Sequence, residues 1–141
     1  MKRVLENIKV QHKNIVWIEK REKGKIARLE ATDEIKEFKL YAIEQGSDNA
    51  DWYYITLTKM LNELLFIVDG RFKNLRDAMS PIQLMITAGG DLVIKKALVD
   101  GMKKQLFYKE IYKLAKERVE IFAELYGQSE ILSKQMTLFE V

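Results

Sequence analysis

The chain has 141 residues, of which 48% are hydrophobic, with one Pro, no Cys, one His and a formal net charge of +3. This length suits one domain with its own core, and the composition excludes disulfides, thiolate metal sites and the usual zinc or redox-metal ligand sets. No apolar run is long enough to span a bilayer, and no signal-peptide h-region follows Lys2 and Arg3. We therefore expect a soluble, cytoplasmic protein without a cofactor.

Positive charge is concentrated near the N-terminus. Residues 1–29 contain nine Lys and Arg against three Glu, so the remaining residues carry a net charge of −3. Such asymmetry is typical of a nucleic-acid-binding surface, although a solvated helix or hairpin gives the same pattern. The candidate phosphate-binding residues are Lys9, Lys13, Lys20, Arg21, Lys23, Lys25 and Arg28.

The first predicted helix extends to about Lys20. Its apolar residues at helical spacing are Val4, Ile8, Ile15 and Ile18. Residues 22–25 then predict a turn. The alternative is a small N-terminal β-hairpin, in which residues 15–18 pair with residues 26–29 around that turn.

Two further helices are predicted in the next part of the chain. Thr32 reads as an N-cap followed by an acidic first turn, and Gly46 supplies the left-handed residue that ends this helix. Residues 47–49 form a second cap. The helix that follows is strongly apolar and continues to about Val68.

A clear helix start lies at Ser80. Ser80 is the cap, Pro81 occupies the first helical position, and Gln83 completes a capping box. The apolar pattern continues to about Met102, although the Gly pair at residues 89–90 indicates either a bend or the close approach of another backbone. We expect two helices or one kinked helix here.

The last predicted helix runs from Tyr108 to Gly127. Together these patterns predict an all-α, single-domain bundle of about five or six helices over residues 1–127. A short polar tail, residues 128–141, follows the bundle.

Residues suited to catalysis are sparse. His12 is the lone His, and the Ser residues are explained by helix caps or by the polar tail. Asp33 and Glu37 have the loose order of some nuclease metal sites, but those sites need a strand and this segment is predicted to be helical. We therefore predict no catalytic residues, no metal site and no enzymatic activity.

The stretch from Glu44 to Met60, which includes Trp52, Tyr53 and Tyr54, resembles helical domains of prophage-encoded regulatory proteins of the Rha and antirepressor type. Residues 108–112 contribute to the resemblance, which covers roughly residues 10–127. It implies a phage or mobile-element origin and a role in DNA-linked regulation without catalysis. Consecutive aromatic residues spread around a helix, so core packing of one or two explains them better than base stacking.

The C-terminal peptide resembles a known docking motif. Its residues Gln135, Met136, Leu138 and Phe139 follow the order of the peptide by which many bacterial and phage proteins bind the DNA sliding clamp, usually Gln-Leu-Ser/Asp-Leu-Phe. In that mode Leu138 and Phe139 fill an apolar pocket while Gln135 hydrogen-bonds the pocket rim. The alternative is that the same residues pack on the protein's own core.

These observations lead to two functional hypotheses. The first is a non-enzymatic phage regulatory or replication-accessory protein that acts on DNA transactions by tethering, partly through the sliding clamp. The second is a structural or regulatory homo-oligomer that binds a repressor or another protein, with its tail packed on its own core. Apolar helix faces rich in Met leave room for a homodimer.

Overall fold

A computed structural model describes residues 2–69, 75–127 and 131–133, with side chains over residues 15–66 and 75–127. Within these residues the chain forms four α-helices, two short 3-10 helices and two three-residue strands. In chain order they are α1 (Lys2–Glu44), the 3-10 helix Ala50–Trp52, α2 (Tyr53–Leu65), β1 (Ile67–Asp69), the 3-10 helix Leu75–Ala78, α3 (Pro81–Lys103), α4 (Tyr108–Tyr126) and β2 (Ile131–Ser133). The predicted all-α class is confirmed, and the count of five or six helices is not.

The main difference from prediction lies in α1, which is one continuous helix of 43 residues. The predicted turn at residues 22–25 and the β-hairpin alternative are not found, because these residues are helical. Gly24 costs a helix only about 1 kcal/mol relative to Ala. Packing of the following turns, where Ala27 and Ala31 are buried, outweighs this local preference.

Two predicted helix boundaries are confirmed. Past the end of α1, Gly46 has a φ of 94°, and the Ser47 N–H donates to the Ala42 carbonyl at 2.9 Å. At the start of α3, the Gln83 N–H donates to Ser80 Oγ at 3.2 Å, while the Ser80 N–H donates to Gln83 Oε1 at 2.8 Å. Both signals are local, since the cap and the chain that it satisfies are neighbours in sequence.

The helices form an up-down-up-down bundle. Trp17 Nε1–H donates to the Met79 carbonyl at 2.9 Å before α3 begins, and Tyr41 Oη–H donates to the Leu106 carbonyl at 2.6 Å beyond its end. Because both helices meet in the same order along the chain, α1 and α3 are parallel. β1 and β2, which follow α2 and α4, also pair in parallel.

α3 runs through its Gly pair without a break. A Cβ at Gly90 would lie 2.5 Å from Leu61 Cδ1, and one at Gly101 would lie 2.7 Å from Ile111 Cγ1. The glycines of α3 thus mark places where neighbouring helices approach closely, which is the other role of a helical glycine.

The core lies between all four helices. α1 contributes mostly small residues to it, which lets α3 approach closely. The largest fully buried side chains are Phe38, Leu57, Leu61, Leu65, Met79, Leu84, Ile94, Leu98, Ile111 and Val119. None of the helices in the described ranges is long and apolar enough to cross a membrane.

Candidate interaction surface on the first helix

α1 has two apolar faces. One faces the bundle, where Ala31, Phe38 and Ala42 are fully buried. The opposite face is turned to solvent and carries six large apolar side chains that are 49–63% exposed: Ile15, Ile18, Ile26, Leu29, Leu40 and Ile43. A helix that is apolar on both sides has a second face available for a partner.

The exposed apolar residues follow the helix axis closely. Ile18, Leu29 and Leu40 recur at every eleventh position, and Ile15 and Ile26 are separated by the same interval. An interval of eleven brings an α-helix back to within roughly 20° of the same direction, so the row drifts little around the helix. At 1.5 Å per residue, the row from Ile15 to Ile43 is about 42 Å long.

Four charged residues interrupt this row and share its face. Glu22 and Lys25 lie between Ile18 and Ile26 in sequence, and their side chains form an ion pair of 3.0 Å. Asp33 and Lys36 lie between Leu29 and Leu40 and are also exposed. We call the six apolar and four charged residues together the outer stripe.

On the bundle side of α1, a buried carboxylate holds two arginines. Asp91 on α3 is fully buried; its Oδ1 lies 3.2 Å from Arg28 Nη1, and its Oδ2 lies 2.9 Å from Arg76 Nη2. Arg28 also donates to Thr58 Oγ1 on α2. Burial raises the pKa of Asp91, and the charges of Arg76 and Arg28 oppose that rise. This cluster ties three helices together.

The predicted phosphate-binding arginines are engaged inside the protein. Arg28 bonds to Asp91 as described, and Arg21 Nε lies 3.7 Å from Asp77 Oδ1. Their side chains are only 14% and 12% exposed. Arg28 thus links α1 to α2 and α3, and Arg21 links α1 to the 3-10 helix that leads to α3. These contacts leave both arginines poorly placed to bind phosphates.

Among the predicted phosphate-binding lysines, the three whose side chains are described do not form one surface either. Lys9 and Lys13 belong to α1, but their side chains lie outside the described residues. Lys20 is half-buried. Lys23 and Lys25 are exposed and paired with glutamates of α1, and residues two apart point to nearly opposite sides of a helix. A nucleic-acid contact stays a prediction.

The three consecutive aromatic residues have different surroundings. Tyr53 packs edge-on against Phe38, with ring centroids 4.9 Å apart, and lies near Tyr108 and Tyr112. Trp52 and Tyr54 are 64% and 44% exposed. One of the three thus packs against the core, as the spread of consecutive helical positions predicts.

A cavity of about 340 Å³ lies between α1 and the start of α2. It is lined by Thr32, Ile35, Lys36, Lys39, Ala50, Asp51 and Tyr54. Asp51 is the one carboxylate of this lining, and it is already in an ion pair with Lys39. In the described ranges, no group of acidic or His residues could hold a metal ion.

The predicted clamp-binding residues Gln135, Met136, Leu138 and Phe139 lie outside the described residues, as does residue 134 and everything after it. The outer stripe is a site that the sequence patterns alone do not predict. Its eleven-residue spacing is present in the sequence, but it becomes a continuous face only when residues 15–43 belong to one helix.

Comparison with known protein families, with curated protein sequences and with solved structures finds no match to this chain.

Proposed function

We propose that this chain is a non-enzymatic protein of the phage regulatory and replication-accessory class, which acts by binding other proteins. The outer stripe is the observation that supports this proposal. Its six half-exposed apolar side chains form a row about 42 Å long on a helix whose other face is already packed. Contiguous exposed apolar surface of this kind is typical of protein-binding sites.

The proposal includes a tether to the DNA sliding clamp. The tether is the C-terminal peptide, in which Leu138 and Phe139 are the apolar anchors and Gln135 is the polar one. A few buried side chains carry most of the affinity of such a peptide. The helical body would then bring its own surface to the site of a DNA transaction.

Calorimetry with purified bacterial sliding clamp tests the tether. The intact protein should bind with about micromolar affinity. A Leu138→Ala/Phe139→Ala variant should lose binding, because both apolar anchors are gone. No heat of binding from the intact protein at clamp concentrations of ~100 μM would contradict the tether.

A matched control comes from the same tail. Glu140→Gln changes a residue beside the anchors without removing one, and it should bind like the wild-type chain. Thermal unfolding of each variant separates the two roles of the tail. If the Leu138→Ala/Phe139→Ala variant unfolds at a lower temperature, the pair packs on the protein's own core, as the second hypothesis requires.

The second candidate function is a regulatory homo-oligomer, and the outer stripe also favours it. A second copy of this chain presents the same apolar face, so association of two copies would cover both stripes at once. In this reading, assembly through α1 positions the body to bind a repressor or another protein.

A further inference from the structure

We propose that the outer stripe of α1 is the interface of a homodimer in which the two α1 helices run antiparallel, with Leu29 at the two-fold axis. The inference rests on the homo-oligomer function proposed above and specifies its geometry. It follows from the order of apolar and charged residues along the stripe.

Five of the six apolar residues of the stripe are placed symmetrically about Leu29; the sixth, Ile26, lies level with Thr32 of the second copy. Ile18 and Leu40 lie at equal distances before and after it in the sequence, and so do Ile15 and Ile43. In an antiparallel pair centred on Leu29, Ile18 therefore lies level with Leu40 of the second copy. Ile15 likewise lies level with Ile43 of the second copy, and the two Leu29 side chains meet at the axis.

The charged residues of the stripe are also symmetric, but with opposite sign. Glu22 and Lys36 lie at equal distances before and after Leu29 in the sequence, and Lys25 and Asp33 do the same closer to it. The antiparallel pair thus brings every charge of the stripe level with an opposite charge of the second copy. All four side chains are exposed, so the second copy can reach each of them, including Glu22 and Lys25, which pair with each other within one chain.

A parallel pair in register would do the reverse. Each residue would then lie level with the same residue of the second copy, which places Glu22 beside Glu22 and Lys36 beside Lys36. Like charges at close range within an interface are costly. The alternation of sign along the stripe therefore selects the antiparallel orientation.

The size of the stripe also fits a second copy. Six half-exposed Ile and Leu side chains present roughly 600 Å² of apolar surface per protomer, close to the ~800 Å² per partner of a standard interface. An isologous interface requires that one surface be complementary to itself. The outer stripe meets this requirement in five of its six apolar residues and in all four of its charged residues.

Sedimentation equilibrium tests whether the stripe joins two copies. The wild-type chain should sediment as a dimer at tens of micromolar, and Leu29→Asp should weaken the dimer at least ~100-fold, because two carboxylates would be buried together. Leu125→Asp is the matched control. Leu125 is 72% exposed but lies on α4, outside the outer stripe, so the dimer of this variant should be as stable as that of the wild-type chain. A monomeric wild-type chain overturns the dimer and with it the homo-oligomer function. A dimer that both substitutions weaken equally, or that Leu29→Asp leaves intact, keeps the homo-oligomer function but overturns the outer stripe as its interface.

Disulfide cross-linking tests the orientation separately, since the chain has no Cys. A mixture of Ile18→Cys and Leu40→Cys chains should form the mixed disulfide, while Ile18→Cys alone should not cross-link with itself. If Ile18→Cys cross-links with itself and no mixed disulfide forms with Leu40→Cys, the chain is still a dimer but the antiparallel arrangement is overturned. Cross-linking of Leu29→Cys to itself serves as the positive control, because it is expected in either orientation.

A charge swap gives an independent readout of the register. Glu22→Lys alone and Lys36→Glu alone should each weaken the dimer by about tenfold, because each places like charges level with each other. The double variant restores opposite charges in the antiparallel pair and should return to near wild-type affinity. Failure of the double variant to recover overturns the proposed register.

Discussion

Asp91 shows how one buried residue holds α1 on the bundle. Burial alone raises the pKa of its carboxyl and also lowers the pKa of Arg76 beside it. The positive charges of Arg76 and Arg28, at 2.9 and 3.2 Å, oppose the rise in the pKa of Asp91. For Arg76 the charge of Asp91 opposes the fall in pKa, while the nearby charge of Arg28 adds to it. Removing one member of a buried ion pair lowers the free energy of unfolding, because the charge of the remaining member stays buried without its partner.

The first prediction is that Asp91→Asn destabilises the protein by about 3–5 kcal/mol. The substitution keeps the shape of the side chain but removes the carboxylate from two arginines that are 10% and 14% exposed. The free energy of unfolding, measured by urea denaturation at neutral pH, is the test.

Asp77→Asn is the matched control for this prediction. Asp77 also pairs with an arginine of α1, Arg21, but at 3.7 Å and with 62% of its side chain exposed. Its loss should lower the free energy of unfolding by less than ~1 kcal/mol. Equal losses in the two variants would show that Asp91 is not a structural anchor.

At the scale of single helices, two glycines test opposite expectations. Gly24 lies within α1, and a Cβ there would meet no atom within 4 Å. Gly101 lies within α3, and a Cβ there would lie 2.7 Å from Cγ1 and 2.9 Å from Cγ2 of Ile111. Ile is β-branched and stiff, so this contact cannot be relieved by a small rotation.

We predict that Gly24→Ala stabilises the protein by about 0.5–1 kcal/mol, because Ala loses less backbone entropy in a helix. Gly101→Ala should destabilise it by about 1–2 kcal/mol, since overpacking outweighs the same gain. Urea denaturation of both variants is the measurement. A destabilised Gly24→Ala would argue that residues near 24 are not held as a regular helix.

Helix boundaries also show what the sequence predicts well and what it does not. The end of α1 near Gly46 and the start of α3 at Ser80 are predicted correctly, because each depends on residues a few positions apart. The predicted turn at Gly24 is wrong because local preference competes there with packing against α3, a helix far along the chain. No short-range pattern contains that information.

For the candidate sites too, the sequence predicts poorly what depends on contacts between distant parts of the chain. Arg28 reads as a phosphate ligand in the sequence, yet its partner Asp91 lies on a different helix, α3. The hairpin alternative assigns Ile26 and Leu29 to a strand, which hides the eleven-residue spacing of the outer stripe. Once α1 is continuous, the spacing and its alternating charges can be read from the sequence directly.

At the scale of the whole molecule, we propose that the chain combines a packed helical body with a C-terminal peptide of separate role. The homodimer of the second candidate function and the clamp tether of the first use different parts of the chain: the outer stripe would join two bodies, and the peptide would bind a different protein. The two activities should therefore separate: Leu29→Asp should keep clamp binding per chain, and Leu138→Ala/Phe139→Ala should keep the dimer. Loss of both activities in either variant would mean that they share one surface.

Truncation after Ser133 tests whether the body stands without the terminal peptide. Removing residues 134–141 should change the free energy of unfolding by less than ~0.5 kcal/mol if the peptide only binds a partner. If Leu138 and Phe139 instead pack on the core, the loss should reach roughly 1.5–3 kcal/mol for each buried side chain. Leu57→Ala, at a fully buried position on α2, sets the scale of a true core loss at about 2–5 kcal/mol in the same urea assay. A truncated chain that loses clamp binding while unfolding like the wild type would assign the peptide to docking.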